Sequence, residues 1–155
     1  MAFRNVATLI ADGVSLDRQT GRLSVFNMLE SVLAPSYPAL LPKLVVVNVY
    51  EIDDGGGAYW ERVTVVDDAG TELARVVAEL RGEGTAHRSM GIIQGMRLAK
   101  PGVYSVVVEG ATKRDGPWQP VNRRRLHAEL GTHPLICKDE KNPRGVKVRP
   151  ASITE

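Results

Sequence analysis

The stretch that decides the fold is KLVVVNVYEI, residues 43–52. Successive residues of a strand point to opposite sides of the sheet, so the three consecutive valines place apolar side chains on both of its faces. The run is short and β-branched, follows a proline-rich loop and stops at DDGGG, residues 53–57, which favours a strand over a buried helix. We therefore expect a central strand with apolar cover above and below.

Short strand-like segments separated by turn-forming residues make up the rest of the chain as far as residue 130. They cover residues 6–15, 23–33, 59–66, 72–80, 89–98, 103–110 and 121–130. Their spacing predicts an all-β fold, a single antiparallel β-sandwich of about eight strands, immunoglobulin-like or Greek-key, with a barrel as the alternative. Tyr104 follows a glycine at a predicted corner and is expected to hydrogen-bond across the turn.

Length and composition are those of one ordinary domain. A chain of 155 residues buries enough surface to fold without crosslinks. Cys137 is the only cysteine, so no intramolecular disulfide is expected. Neither a signal peptide nor a long apolar span is apparent, so the expected location is the cytoplasm. We expect residues 1–130 to form the β-sandwich domain and residues 131–155 an irregular C-terminal extension.

Charge is distributed unevenly along the chain, although the net charge is only +2. Residues 1–110 hold 10 Lys/Arg and 13 Asp/Glu, whereas residues 111–155 hold 10 Lys/Arg and 5 Asp/Glu. The basic final third is either a solvated tail or a contact for an anionic partner such as nucleic acid.

Loops of a sandwich fall at alternate ends, because each strand crosses the domain. One end is thereby predicted to collect the longer polar and glycine-rich loops, those near 18–22, 53–57, 81–88 and 111–120. Binding usually resides in loops that a rigid scaffold holds, and plain solvated turns are the alternative. The candidate partner-binding residues, which include two arginines of the final strand, are Asp53, Asp54, His87, Arg88, Lys113, Arg114, Trp118, Arg123 and Arg125.

Carboxylates at this predicted end offer oxygen ligands for calcium. They are Asp53, Asp54 and Asp115. The Asp-x-Asp-x-Asp spacing of a dedicated calcium loop is absent, and the neighbouring Lys113 and Arg114 would oppose a cation. No metal site is expected here.

A second group of residues has side chains of the types that bind zinc or act as a thiol nucleophile. His127, His133 and Cys137 offer a zinc site, or a thiol nucleophile with a base, but no fourth ligand accompanies them. A buried structural cysteine and exposed histidines are the simpler interpretation. We expect no catalytic residue, no metal and no cofactor.

The run Arg123-Arg124-Arg125 lies in the last predicted strand. Alternation puts Arg124 on the face of Leu126 and Ala128, where it is expected to be partly covered or paired with an acid. The run either binds an anionic partner or protects an edge strand from aggregation. The two tryptophans, at positions 60 and 118, are expected to be core or loop anchors.

Four stretches of the chain have a recognisable pattern: LIADGVSLD at 9–17, TGRLSVFNMLESV at 20–32, PSYPALLPKLVVVNVYE at 35–51 and KPGVYSVVVEG at 100–110. Together they resemble a family of small uncharacterised bacterial and phage β-sandwich proteins. Members of that family share four motifs in this order: an Asp-Gly/Ala strand, a Gly-Lys/Arg-Leu-Ser-Ile-Phe strand, a Phe/Tyr-Pro-Ala loop and a Pro-Gly-x-Tyr hairpin. The resemblance implies a β-sandwich over residues 6 to about 110 and no activity, cofactor or catalytic residue.

These observations predict a non-catalytic binding or structural module of a bacterial or phage-encoded assembly. The expected partner is protein, through self-association or a place in a larger assembly, and no membrane contact is expected. The alternatives are anion or nucleic-acid binding through the basic final third, and a small metal-dependent or thiol enzyme.

Overall fold

The computed structural model describes residues 3–53, 57–81 and 84–131. The predicted extension therefore lies outside the described residues, apart from Gly131. The described residues form nine strands: β1 Phe3–Leu16, β2 Leu23–Met28, β3 Ser31–Ala34, β4 Ala39–Ile52, β5 Ala58–Val66, β6 Glu72–Arg81, β7 Ala86–Leu98, β8 Gly102–Ala111 and β9 Gln119–Leu130. Within these ranges no helix is long and apolar enough to cross a membrane.

Two sheets make up the fold, and the all-β sandwich prediction is confirmed. A four-stranded antiparallel sheet has the order β2-β1-β4-β7, and a five-stranded sheet has the order β3-β9-β8-β5-β6. The five-stranded sheet is mixed, since β3 runs parallel to β9 while its other pairs are antiparallel. The predicted segment 23–33 is two strands rather than one, because the chain turns at Leu29-Glu30 and β3 joins the other sheet.

Strand β4 occupies the central position predicted for it. It pairs with β1 on one side and β7 on the other, and Leu44, Val45, Val46 and Val47 are all buried. Leu44 and Val46 belong to the core between the two sheets. The side chains of Val45 and Val47 point the opposite way, so a second layer must cover the outer face of the sheet.

The β1–β2 hairpin supplies part of this second cover. Strand β1 pairs with β4 only as far as Ala11, and its remaining residues pair with β2. Arg88, on the outer face of β7, donates a hydrogen bond of 2.6 Å to the carbonyl of Gly21 at the hairpin tip. Leu16 and Leu23 line one cavity with Arg88 and Met90. The hairpin therefore folds back across the outer face of the four-stranded sheet.

An aromatic cap, defined as Phe3, Tyr50 and Tyr59, closes one end of the sandwich. The rings of Phe3 and Tyr59 are stacked with centroids 4.7 Å apart, and Tyr50 meets Tyr59 edge-on at 5.9 Å. The Tyr59 ring lies directly over Gly110, where a Cβ atom would come within 1.6 Å of the tyrosine hydroxyl. Only a residue without a side chain fits beneath this ring.

At the opposite end of the sandwich, Tyr104 makes the contact predicted from its corner position. Its hydroxyl donates a hydrogen bond of 2.7 Å to the carbonyl of Lys100, and the side chain is buried. The interaction fixes the turn that connects β7 to β8, so the role of Tyr104 is architectural.

Replacing Gly110 with alanine is expected to lower the free energy of unfolding by about 1–3 kcal/mol, the usual cost of overpacking a core. The cause is the clash with Tyr59, whose ring cannot move aside without disturbing its stacking on Phe3. Urea denaturation monitored by circular dichroism measures the loss.

Gly13→Ala is the matched control, because Gly13 also lies in a strand without a positive φ. A Cβ atom there would lie 3.8 Å from the nearest heavy atom, which is ordinary contact. We expect its unfolding free energy to be unchanged or raised by about 0.4–1 kcal/mol. Equal losses in the two variants would contradict the proposed clash.

Candidate functional site

Three of the four loops predicted to share one end do so. Phe3 pairs with Ile52 and Ala86 with Glu51, so the end of β4 and the start of β7, where two of these loops are attached, lie beside the start of β1. The loop between β8 and β9 joins them at the aromatic cap. Asp53 is exposed at this end, whereas Asp54 lies outside the described residues.

The loop near 18–22 reaches Arg88 by a longer route than the predicted one. Strand β1 starts at the aromatic cap and runs away from it, and the β1–β2 hairpin then folds back over the outer face of the sheet, so that Gly21 accepts the hydrogen bond from Arg88. The segment 23–33 contains an additional reversal of direction between β2 and β3, which the predicted alternation of loops did not include. His87 is half-buried opposite Tyr50.

Both tryptophans carry an arginine against one face of their rings. The guanidinium carbon of Arg62 lies 4.6 Å from the ring centroid of Trp118, and that of Arg114 lies 5.7 Å from the ring of Trp60. Both rings are half-buried, which agrees with the expectation of anchoring residues. Cation–π contacts of this kind hold the arginine side chains against the aromatic surface.

Arg62 is further fixed by an ion pair with Glu109. The Nε of Arg62 lies 2.7 Å from a carboxylate oxygen of Glu109, and about a fifth of each side chain is exposed. This hydrogen bond raises the pKa of the Arg62 guanidinium. A half-buried arginine with an acid on one side and an aromatic ring on another has few alternative rotamers.

Arg123 and Arg125 lie farther along the same outer face of the five-stranded sheet. They pair in register with Val107 and Ser105 of β8. The two arginines line a cleft of about 430 Å³ together with Asp67 and other residues of the β5–β6 turn and β8. We call the surface formed by Trp60, Arg62, Arg114, Trp118, Arg123 and Arg125 the arginine–tryptophan face.

Several cations of this region have no acidic partner among the residues that the structure describes. Within the described part of the chain, no carboxylate lies within 4 Å of the basic groups of Lys113, Arg114, Arg123, Arg124 or Arg125. Arg124 is exposed, so the expectation that it is partly covered or paired with an acid was wrong. It occupies a core-facing register opposite Val106, but at this point β9 lies near the margin of the sheet, where a long side chain can reach water.

The metal-ligating groups considered from the sequence do not assemble in the described residues. No group of three or more His, Cys, Asp or Glu side chains there is arranged to hold a metal ion. Asp115 and His127 are exposed. His133 and Cys137 lie outside the described residues.

A buried polar cluster surrounds Glu61, and it was not predicted from the sequence. Glu61 is 2% exposed and accepts hydrogen bonds from the amide of Asn48 at 3.0 Å and the hydroxyl of Ser89 at 2.8 Å. It also accepts one from the hydroxyl of Tyr50. Thr8 extends the cluster by donating to the Asn48 side-chain oxygen at 2.6 Å.

The Glu61 cluster joins the two sheets. Glu61 projects from β5 of the five-stranded sheet, whereas its three donors project from β4 and β7 of the other sheet. Burial and the adjacent Glu61 carboxylate raise the pKa of Tyr50 far above its usual range, so its hydroxyl remains a donor. A buried acid is tolerated only with such partners, and the cluster has a structural role.

The alternation of side chains between the two faces of the strand YWERVTVV, residues 59–66, could have predicted this cluster. Glu61 has the same parity as Val63 and Val65, both of which are buried in the core. An acid at a core-facing position requires donors from the opposite sheet. Asn48 within the valine-rich strand was the corresponding signal on the other side.

Tyr50→Phe is expected to lower the free energy of unfolding by about 1–3 kcal/mol, because a buried carboxylate loses one of its donors. Tyr37→Phe is the matched control, since the half-buried Tyr37 donates to a backbone carbonyl, that of Glu129, at 2.9 Å. Its loss should be about 0.5 kcal/mol. Thermal and urea denaturation of both variants provide the comparison, and an equal loss would contradict the structural role of the cluster.

Comparison with known proteins gives a family but no activity. The family described as "Family of unknown function (DUF6941)" matches residues 6–112. No curated protein matches the chain. Among solved structures, the C-terminal domain of wzt is similar with a TM-score of 0.49 and 10% identity, covering 84% of this chain and 75% of that one.

A second similar structure is the Bifidobacterium dentium beta-glucuronidase complexed with coumarin-3-O-glucuronide. It has a TM-score of 0.40 and 16% identity, covering 80% of this chain and 17% of that one. Both structural similarities are distant and carry no functional argument. The family match, in contrast, spans most of the chain from the first strand through β8. On that match, the chain belongs to the DUF6941 family of unknown function.

Proposed function

We propose that the domain is a non-catalytic binding module that self-associates or forms part of a bacterial or phage-encoded assembly, and that it contacts an acidic surface of a partner protein through the arginine–tryptophan face. The proposal assigns no catalytic residue and no cofactor. The observation that carries it is that Arg114, Arg123 and Arg125 have no carboxylate within 4 Å among the described residues and lie beside two arginine–tryptophan contacts.

The composition of this face supports a protein partner. Tryptophan and arginine are enriched at protein interfaces and dominate their binding energy. Arg62 is already held by Glu109 and Trp118, so little side-chain entropy is lost when a partner contacts it. Among the described residues no carboxylate lies within 4 Å of the Arg123 or Arg125 guanidinium, so Asp67 and Asp68 across the same cleft offset their charge only in part, which favours a partner with exposed carboxylates.

Nucleic acid is the less favoured partner for the same face. Sequence-tolerant binding of single strands depends on aromatic rings on which bases stack. One face of each tryptophan ring is already covered by an arginine. A duplex bound through phosphates alone remains the alternative, and it predicts a steep dependence on salt.

Binding of the full chain to polyglutamate and to a mixed-sequence DNA duplex tests the proposal, with fluorescence anisotropy at low and moderate salt as the measurement. We expect polyglutamate to bind, and the double variant Arg123→Glu/Arg125→Glu to weaken that binding by about tenfold or more, equivalent to about 1.4 kcal/mol. The reason is charge reversal at the two arginines that line the cleft.

Arg18→Glu/Arg97→Glu is the control, because it reverses the same amount of charge at exposed positions away from this face. It should weaken polyglutamate binding less than the test variant does. An equal loss in both variants would show that only net charge matters and would overturn the assignment of the face. Tighter binding to the duplex, falling steeply with salt, would move the function to nucleic-acid binding.

A further inference from the structure

Strand β2 forms one margin of the four-stranded sheet. It pairs with β1 on one side, and among the described residues no strand pairs with its other side. Its sequence, LSVFNM at residues 23–28, contains no charged residue, no proline and no glycine. Such a margin presents backbone N–H and C=O groups to any strand of suitable shape.

The other sheet margins have features that discourage strand addition. Strands β6 and β7 both carry charged residues, and they lie beside each other at one side of the sandwich, where a Cβ on Gly91 would lie 3.9 Å from Val76. Strand β3 is only four residues long. Very short margins and charged margins are the usual protections against pairing between molecules. Strand β2 carries no charge, and its six residues are more than the four of β3.

The side chains of β2 add apolar surface to this margin. Phe26 is 50% exposed and Met28 is 55% exposed, although both are large and apolar. The backbone is extended from Leu23 to Phe26 and departs from the extended conformation at Asn27, whose φ is 52°. The pairing segment is therefore short, and burial of the two apolar side chains has to add to its backbone hydrogen bonds.

We propose that β2 is the self-association surface, where the β2 strands of two copies pair antiparallel across a two-fold axis and join two four-stranded sheets into one continuous sheet. This inference rests on the self-association included in the proposed function. In a two-fold interface both copies use the same surface, so each residue of β2 lies against the β2 strand of the other copy. The absence of charge in β2 means that no like charges meet there.

Two-fold symmetry also restricts the register. Residues directly opposite each other in a sheet point to the same face, and side chains alternate between the faces along each strand. When identical strands pair about an axis perpendicular to the sheet, the two residue numbers of every opposite pair must therefore be both even or both odd. Pairing Ser24 with Phe26, or Ser24 with itself, meets this condition. In either register Ser24 lies close to the axis, and Phe26 becomes covered by the partner.

Ser24→Lys tests the inference by placing two positive charges close to the axis. Ser24 is exposed, so the substitution leaves the core intact. We expect the full-length protein to be a dimer in light scattering and sedimentation velocity, and Ser24→Lys to raise the dissociation constant of the dimer by tenfold or more. Gln94→Lys, at an exposed position of β7, is the control and should leave the dimer unchanged.

A crosslinking experiment gives an independent reading. In a Cys137→Ser background, Ser24→Cys should form a covalent dimer on mild oxidation in the register that pairs Ser24 with itself, and Val25→Cys should do so in the register that pairs Ser24 with Phe26. In each case identical residues face each other on the axis and come within disulfide distance. Gln94→Cys in the same background should not.

The outcomes separate this inference from the proposed function. A dimer that is unaffected by Ser24→Lys and gives no crosslink would overturn the role of β2 but leave self-association in place. A strict monomer at every concentration would overturn both self-association and the role of β2. The polyglutamate experiment would still decide the arginine–tryptophan face, because neither Ser24 nor Gln94 belongs to it.

Discussion

A strand that is apolar on both faces has to be kept dry on both, and β4 imposes this constraint on the whole domain. The inner face of β4 requires the five-stranded sheet. The outer face requires β1, β7 and the hairpin that folds back over them. Removing either layer would expose several valines to water, and the free-energy cost would be about 25 cal/mol for each Å² of apolar surface exposed. The facing sheet thus covers one apolar face of β4, and the folded hairpin helps to cover the other.

Apolar packing alone leaves the relative position of the two sheets weakly determined, because many registers bury similar areas. The Glu61 cluster is specific in a way that valines are not. Its carboxylate needs donors from Asn48, Tyr50 and Ser89, all on the facing sheet. A shift of one sheet along the other would leave a buried acid without partners, which is costly. We interpret the cluster as the feature that selects one alignment of the sheets.

Most of the fold could be predicted from alternation and turn chemistry. The central position of β4 followed from the apolar residues on both faces of one stretch, and the corner contact of Tyr104 followed from a short turn that begins at Lys100. The separation of β2 from β3 did not, because LSVFNMLESVL contains neither proline nor glycine to mark the turn. Its turn at Leu29-Glu30 depends on the pairing of β3 with β9, which no local signal announces.

The candidate site was only partly predictable for the same reason. Trp118, Arg114, Arg123 and Arg125 lie on one face as members of the predicted set. Arg62 and Trp60 come from β5, about fifty residues earlier, and only pairing of β5 with β8 brings them alongside. The contact of Arg88 with Gly21 could not be predicted, because the fold-back of the hairpin is a tertiary feature.

The parallel pairing of β3 with β9 constrains the order in which the molecule can be assembled. Residues 31–34 pair with 127–130, Glu30 accepts a hydrogen bond from the His127 amide, and Tyr37 donates to the carbonyl of Glu129. During synthesis the earlier segment leaves the ribosome long before its partner exists. The nascent chain must therefore carry an unfinished margin through translation of nearly a hundred residues before the five-stranded sheet can be completed.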